Sequence, residues 1–119
     1  MAETLYRRLG GAERIAAIVD EFVDRHAVNP VLAPRFRDKD LPRLKQLGTQ
    51  FVCAGIGGPE KYEGRDLKSV HAGMNVSEQE FLATIDDIVA ALESHGVGQV
   101  ETGEVVAILY SLKGDVLRT

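Results

Sequence analysis

The chain has 119 residues and a mass of 13.0 kDa, enough for one domain with one core and too short for two. Apolar residues supply 45% of it and charged residues 27%, proportions that exclude a disordered or fibrous chain. Lys and Arg number 14 and Asp and Glu 18, so the formal charge is 14 − 18 = −4 and the sequence pI is near 5.3, and no nucleic-acid partner is expected on electrostatic grounds. The single cysteine, Cys53, rules out an internal disulfide or a multi-thiolate metal site and suits a reducing cytoplasm. No apolar run approaches the roughly 20 residues that cross a bilayer. Met1-Ala2-Glu3-Thr4 opens no apolar run with a cleavage site, so no signal peptide is expected. Neither repeats nor low-complexity tracts divide the chain, and a single domain over 1–119 is expected.

Residues 4–9 read as one helical turn capped by Thr4, and Gly10-Gly11 follows as a break. Over 12–27, Ile15, Ile18, Val19, Phe22, Val23 and His26 fall at offsets 0, 3, 4, 7, 8 and 11, a continuous stripe on a helix. Asn29-Pro30 ends that helix, because the residue before a proline is driven out of the helical region. Residues 31–36 form a short connector. Asp40 then caps a helix with Pro42 in its first turn. Its stripe is Leu41, Leu44, Leu47 or Gly48, Phe51, Val52 and Ile56, and Gly57-Gly58-Pro59 terminates it. Residues 59–66 lack periodicity and lead into a short helical piece over 66–72, which Gly73 stops. Ser77-Glu78-Gln79-Glu80 is a capping box. It opens a helix with Phe81, Leu82, Ile85, Ile88, Val89 and Leu92 inward, and His95-Gly96 closes it. A last helix over 101–117 is expected to bury Val105, Ile108, Leu109, Leu112 and Val116. No segment alternates with period two for long enough to be a strand. The fold class is therefore all-α, with three helices of several turns and several short pieces that cross one another, since the loop lengths do not suit an up-and-down bundle.

The catalytic inventory is thin. No HExxH, GxSxG, P-loop or Cys-x-x-Cys is present, so a cofactor is the more economical source of activity. His71 lies in Leu67-Lys68-Ser69-Val70-His71-Ala72-Gly73, four residues after Leu67 and on the same helical face. An inward Leu67 implies an inward His71, whose ring nitrogens then need partners. On spacing alone it is a core histidine bonded to carbonyls, an exposed one or a metal ligand. His26 lies on the apolar stripe and reads as a satisfied core or boundary histidine. His95 reads as a helix-end residue and Cys53 as a small core residue. Arg43, Lys45, Arg65 and Lys68 bracket His71 in sequence. They are a solvated face by default, and are also able to receive carboxylates.

Taken together, the motifs resemble those of truncated haemoglobins. Leu5-Tyr6-x-x-Leu9-Gly10-Gly11 opens the pattern, followed by Phe22, Phe36 and Asp40. Phe51, Gly57-Gly58-Pro59-x-x-Tyr62-x-Gly64-Arg65, His71-Ala72-Gly73 and Phe81 complete it. The likeness runs from Leu5 to about Leu117 and is carried by the ordered set, with a length and a short helix before His71 that resemble the group I branch. It implies a two-over-two helical sandwich around haem b, with His71 as proximal iron ligand and its other N–H held by a backbone carbonyl. Phe36 matches the phenylalanine that packs on the porphyrin face. Leu44, Phe51, Leu67, Val76, Phe81, Ile85, Ile108 and Leu112 are the implied wall residues, and Arg43, Lys45, Arg65 or Lys68 the implied propionate partners. A soluble, cytoplasmic monomer is expected.

The distal side departs from the family pattern. The position after Phe22 commonly holds a tyrosine that donates to bound oxygen, and here it is Val23. The facing helix often supplies a glutamine, whereas the matching positions here are Leu44, Leu47 and Gly48. Some members carry a second histidine near Leu47, and that route is closed. Loss of one such hydrogen bond costs roughly 1.5–3 kcal/mol, or about ten- to hundred-fold in oxygen affinity, expressed chiefly as faster release. Weak oxygen retention, easier oxidation and relatively good carbon monoxide binding are expected. His26 is a candidate replacement donor, as are Gln46 and Gln50 in a rotated register. The leading expectation is reversible binding of oxygen, carbon monoxide and nitric oxide, with a reductase as a further partner. The alternatives are nitric oxide dioxygenase or peroxidase-like chemistry, a pocket remodelled for other haem catalysis, and, without haem, a histidine phosphotransfer domain.

Overall fold

Capping side chains open three of the helices in the computed structural model, which describes residues 3–117. The signal-peptide expectation for Met1 and Ala2 lies outside the described residues. Thr4 accepts from the Arg7 N–H at 3.2 Å and opens α1, Leu5–Arg8. Gly10, at φ +101°, turns the chain into α2, Gly11–Val28. After Asn29 comes α3, Ala33–Phe36. Asp40 accepts from the Arg43 N–H at 3.1 Å and opens α4, Leu41–Gly55, with Pro42 in its first turn. A loop then leads to α5, Leu67–His71. The capping box of Ser77 and Glu80 is formed in both directions and opens α6, Glu78–Ser94. The chain continues through α7, Gln99–Ser111, and α8, Lys113–Val116. Among the described residues there is no strand, only one bridge between Val76 and Leu117.

The fold is all-α. α2 packs most extensively on α4 and then on α6, and α6 packs on α7. The pairs α2–α4 and α6–α7 thus form two layers that cross, a two-over-two sandwich. Gly48 marks the close approach within the first layer, since a Cβ there would lie 3.2 Å from Val19 Cγ1. The apolar stripes meet in two clusters. Leu5, Leu9, Ile15, Val19, Val23 and Cys53 form one, under α1. Ile18, Ile88, Ala91 and Leu92 form the other, between α2 and α6.

Several expectations need correction. Four helices, of 18, 15, 17 and 13 residues, are long, not three. The last helix is two pieces. At its break the Ser111 hydroxyl donates to the Ile108 carbonyl at 2.5 Å and the Leu112 N–H to the Leu109 carbonyl at 3.1 Å, a tightened turn that ends α7. Leu82 is exposed, because it lies one residue off the stripe of Phe81, Ile85, Ile88 and Leu92. On α4 only Cys53 is fully buried, and no residue of α7 is. Leu44, Leu47, Phe51, Val105 and Ile108 are half-buried, and Val100 and Tyr110 on α7 are exposed.

Candidate functional site

α5 is a five-residue helix between two breaks, and its last residue is His71. The His71 Nδ1 lies 2.8 Å from the Leu67 carbonyl, one turn back. A carbonyl only accepts, so Nδ1 donates this bond and its proton is fixed on that nitrogen. Gly73, at φ +80°, ends the segment, and α5 rests on α8. The loop before α5 is pinned to α4 at two points. The Glu63 N–H donates to Gln50 Oε1 at 3.1 Å, and the Tyr62 ring stands edge-on to Phe51 at 5.1 Å. Gln50 is thereby engaged with the loop. Gln46 is exposed and accepts from Arg43 at 2.9 Å.

Val76, Phe81 and Ile85 are buried. Phe36, Leu44, Leu47, Gly48, Phe51, Leu67, Ile108 and Leu112 are half-buried, as is His71 itself. Phe81 also meets Tyr110 edge-on at 5.6 Å. On α2, Val23 is buried and Phe22 half-buried. Of the four cations that bracket His71 in sequence, Lys45 is bound to α2: its Nζ lies 2.9 Å from Asp20 and 2.8 Å from Asp24, and these carboxylates push its ammonium up. Arg43, Arg65 and Lys68 are exposed.

His26 is buried with a partner. Its Nδ1 lies 2.8 Å from Asp87 Oδ2, to which Asn29 Nδ2 also donates at 3.2 Å. Burial pulls this imidazole below its ordinary value, and Asp87 acts in the opposite sense. His95 caps the end of α6, its Nε2 3.2 Å from Glu21. Sequence reasoning missed Asp87 and the clamp of Arg35 on Glu80. The signal for Asp87 was available, because a histidine on an apolar stripe demands a buried polar partner. Among the described residues no three His, Cys, Asp or Glu side chains gather as a metal site, and no helix is long and apolar enough to cross a membrane.

Two crossed helix pairs, with a short helix that ends in a histidine, define a two-over-two globin. The comparisons narrow this: the chain belongs to the Bacterial-like globin family, whose pattern it matches over residues 4–118. It is 31% identical over 114 residues to the group 1 truncated hemoglobin of Nostoc sp. (strain MUN 8820), covering 96% of this chain and 97% of that one. The solved truncated hemoglobin of Tetrahymena pyriformis in its Fe(III) form superposes with a TM-score of 0.94 at 26% identity, covering 98% of this chain and 100% of that one. The 2/2 hemoglobin of Synechococcus sp. PCC 7002, solved in the cyanomet state with covalently attached heme, gives 0.88 at 26% identity, covering 97% and 98%. Nothing in the fold or in these likenesses supports a phosphotransfer domain.

Proposed function

We propose that this chain holds haem b through His71 and binds diatomic gases reversibly there, oxygen, carbon monoxide and nitric oxide among them. The observation that carries the reading is the imidazole geometry. Donation from Nδ1 to the Leu67 carbonyl at 2.8 Å fixes the ring's orientation and places a proton on Nδ1, the arrangement that an iron ligand binding through Nε2 requires.

The surrounding residues fit the group. A porphyrin needs flat apolar walls, and Phe36, Leu44, Phe51, Leu67, Ile108 and Leu112 each keep apolar surface to cover it, with Val76, Phe81 and Ile85 behind. Its propionates need cations at one edge. Arg65 and Lys68 flank Asp66 on the approach to His71 and are exposed, whereas the Lys45 ammonium is already held by Asp20 and Asp24. Cys53 is fully buried in the core beneath α1, which favours a non-covalently held group. When bound, haem supplies an iron with an open position for a gas. The chain's own part is to hold that group from one side and exclude water on the other. Val23, Leu44 and Leu47 bring no hydrogen-bond donor to the gas side, so oxygen release is fast and carbon monoxide is held comparatively well. A reductase that keeps the group ferrous belongs to the same proposal.

A hemin titration tests the reading. Folded protein should take up one equivalent and show a Soret band near roughly 400 nm, as ligated haem does. The reduced form should bind carbon monoxide. His71→Ala should lose most of the band with its helical content unchanged. Folded wild-type protein that remains colourless once unbound hemin has been removed overturns the proposal.

A further inference from the structure

The reading above leaves one buried titratable pair without a task. His26 stands on α2, one turn beyond Phe22 and Val23, with 5% of its surface exposed. Its ring lies 5.5 Å from the Phe22 ring and 5.5 Å from the Phe36 ring. It is therefore in contact with Phe36, assigned to the porphyrin face, and with Phe22, which precedes Val23 on α2. The Nδ1 atom is 2.8 Å from Asp87 Oδ2. An ionised carboxylate only accepts, so Nδ1 donates and Nε2 is left to choose between a lone pair and a proton. Among the described residues no other group bonds the His26 ring. Of the elements packed on that ring, α2 presents Phe22, α3 presents Phe36 and α6 presents Asp87, the charged group that faces it. Arg35, beside Phe36, is taken by Glu80 and by the Met74 carbonyl.

We propose that His26, held by Asp87, is a proton-dependent specificity residue of the gas site, an inference that rests on the gas-binding reading. In its neutral form Nε2 presents a lone pair, which repels the partial negative charge of bound oxygen. Uptake of one proton at Nε2 turns that atom into a donor, while Asp87 keeps its bond to Nδ1 and balances the new charge. Because Asp87 fixes which nitrogen is free to titrate, the pair offers a hydrogen bond that Val23, Leu44 and Leu47 do not, and only on the acid side. Burial, which lowers the imidazole, sets the transition below its ordinary value of 6.5. Carbon monoxide, carrying less charge, responds less.

The test compares haem-loaded wild type, His26→Leu and Asp87→Asn. Oxygen release is timed by stopped flow from about pH 8 to about pH 5, and the His26 ring is titrated by NMR in the apoprotein. In wild type, release should slow by about ten-fold or more as pH falls through the NMR midpoint. His26→Leu should stay at the fast alkaline rate throughout. Asp87→Asn should move the midpoint to lower pH in both readouts. Should the leucine variant not fold, His26→Gln keeps a permanent amide donor and should release slowly at every pH. A flat wild-type profile, or a His26→Leu profile that follows wild type, overturns the inference and leaves haem binding standing. Failure to take up hemin overturns the underlying reading, and the inference with it.

Discussion

Cys53 is fully buried where α4 meets α1 and α2. Burial, with the Glu60 carboxylate nearby, pushes its thiol up to about 11. Such a group carries almost no thiolate at neutral pH and is closed to reagents. Native protein should therefore leave a disulfide reagent such as Ellman's untouched at pH 7 for minutes, and release one equivalent once denatured; prompt native reaction would contradict the packing. The same corner explains Gly58. The Tyr6 hydroxyl donates to Glu60 Oε2 at 3.0 Å, and a Cβ on Gly58 would lie 2.5 Å from Tyr6 Cδ1 and 2.6 Å from Glu60 Oε1. The residue pattern alone showed Cys53 as a core residue and Gly57-Gly58 as a helix stop. It did not show that Gly58 makes room for a tyrosine 52 positions earlier, because that need is set by a contact between distant segments.

Among the elements, α3 has little of its own to hold it, with four residues and none fully buried, as in α8. Arg35 ties it to α6 by bonding both carboxylate oxygens of Glu80 and to the loop between α5 and α6 through the Met74 carbonyl. Glu80 also closes the capping box of α6, so one carboxylate serves two helices. The Arg35 guanidinium, with the Ser77 hydrogen bonds, lowers the Glu80 carboxyl to about 2 from an ordinary 4.5. A carboxyl depressed on folding stabilises the protein fully above its unfolded value and loses that contribution as pH falls through the folded one. Wild-type stability should therefore decline between about pH 4.5 and about pH 2, and Glu80→Gln should lose about 1–2 kcal/mol at neutral pH and show a shallower acid decline in urea melts. An unchanged acid limb in the variant would remove Glu80 from this role. Helix starts such as this one were legible in the sequence because a cap is made within four residues. The break at Leu112 and the half-burial along α4 and α7 were not, since periodicity reports which face is apolar and says nothing of how completely it is covered.

For the molecule as a whole, fully buried residues concentrate beneath α1 and between α2 and α6, whereas the apolar residues of α4 and α7 beyond Cys53 are half covered or exposed. A ligand that covers such surface binds the folded state alone and raises stability by mass action. With hemin in excess the thermal midpoint should rise by about 10 °C or more for a domain of this size. His71→Ala should forfeit most of that rise, as scanning calorimetry of both proteins would report. An equal midpoint with and without hemin would separate folding from cofactor uptake. The site was less legible than the fold for a related reason. Spacing left His71 open between core, surface and ligand roles, and only the ordered resemblance around it singled out the ligand role. Asp87 and the capture of Lys45 by Asp20 and Asp24 belong to tertiary pairings that no local window contains.

α1 has a consequence for how the polypeptide is made. Four residues of helix do not hold their shape alone, and the bonds that fix this one come from far downstream. The Tyr6 N–H donates to the Ile56 carbonyl at 3.0 Å, its hydroxyl reaches Glu60, and Arg8 pairs with Glu101 at 3.0 Å and with Glu104. On the ribosome these residues wait, unlatched, until α7 has left the exit tunnel, so a segment synthesised before α7 is sealed only after it.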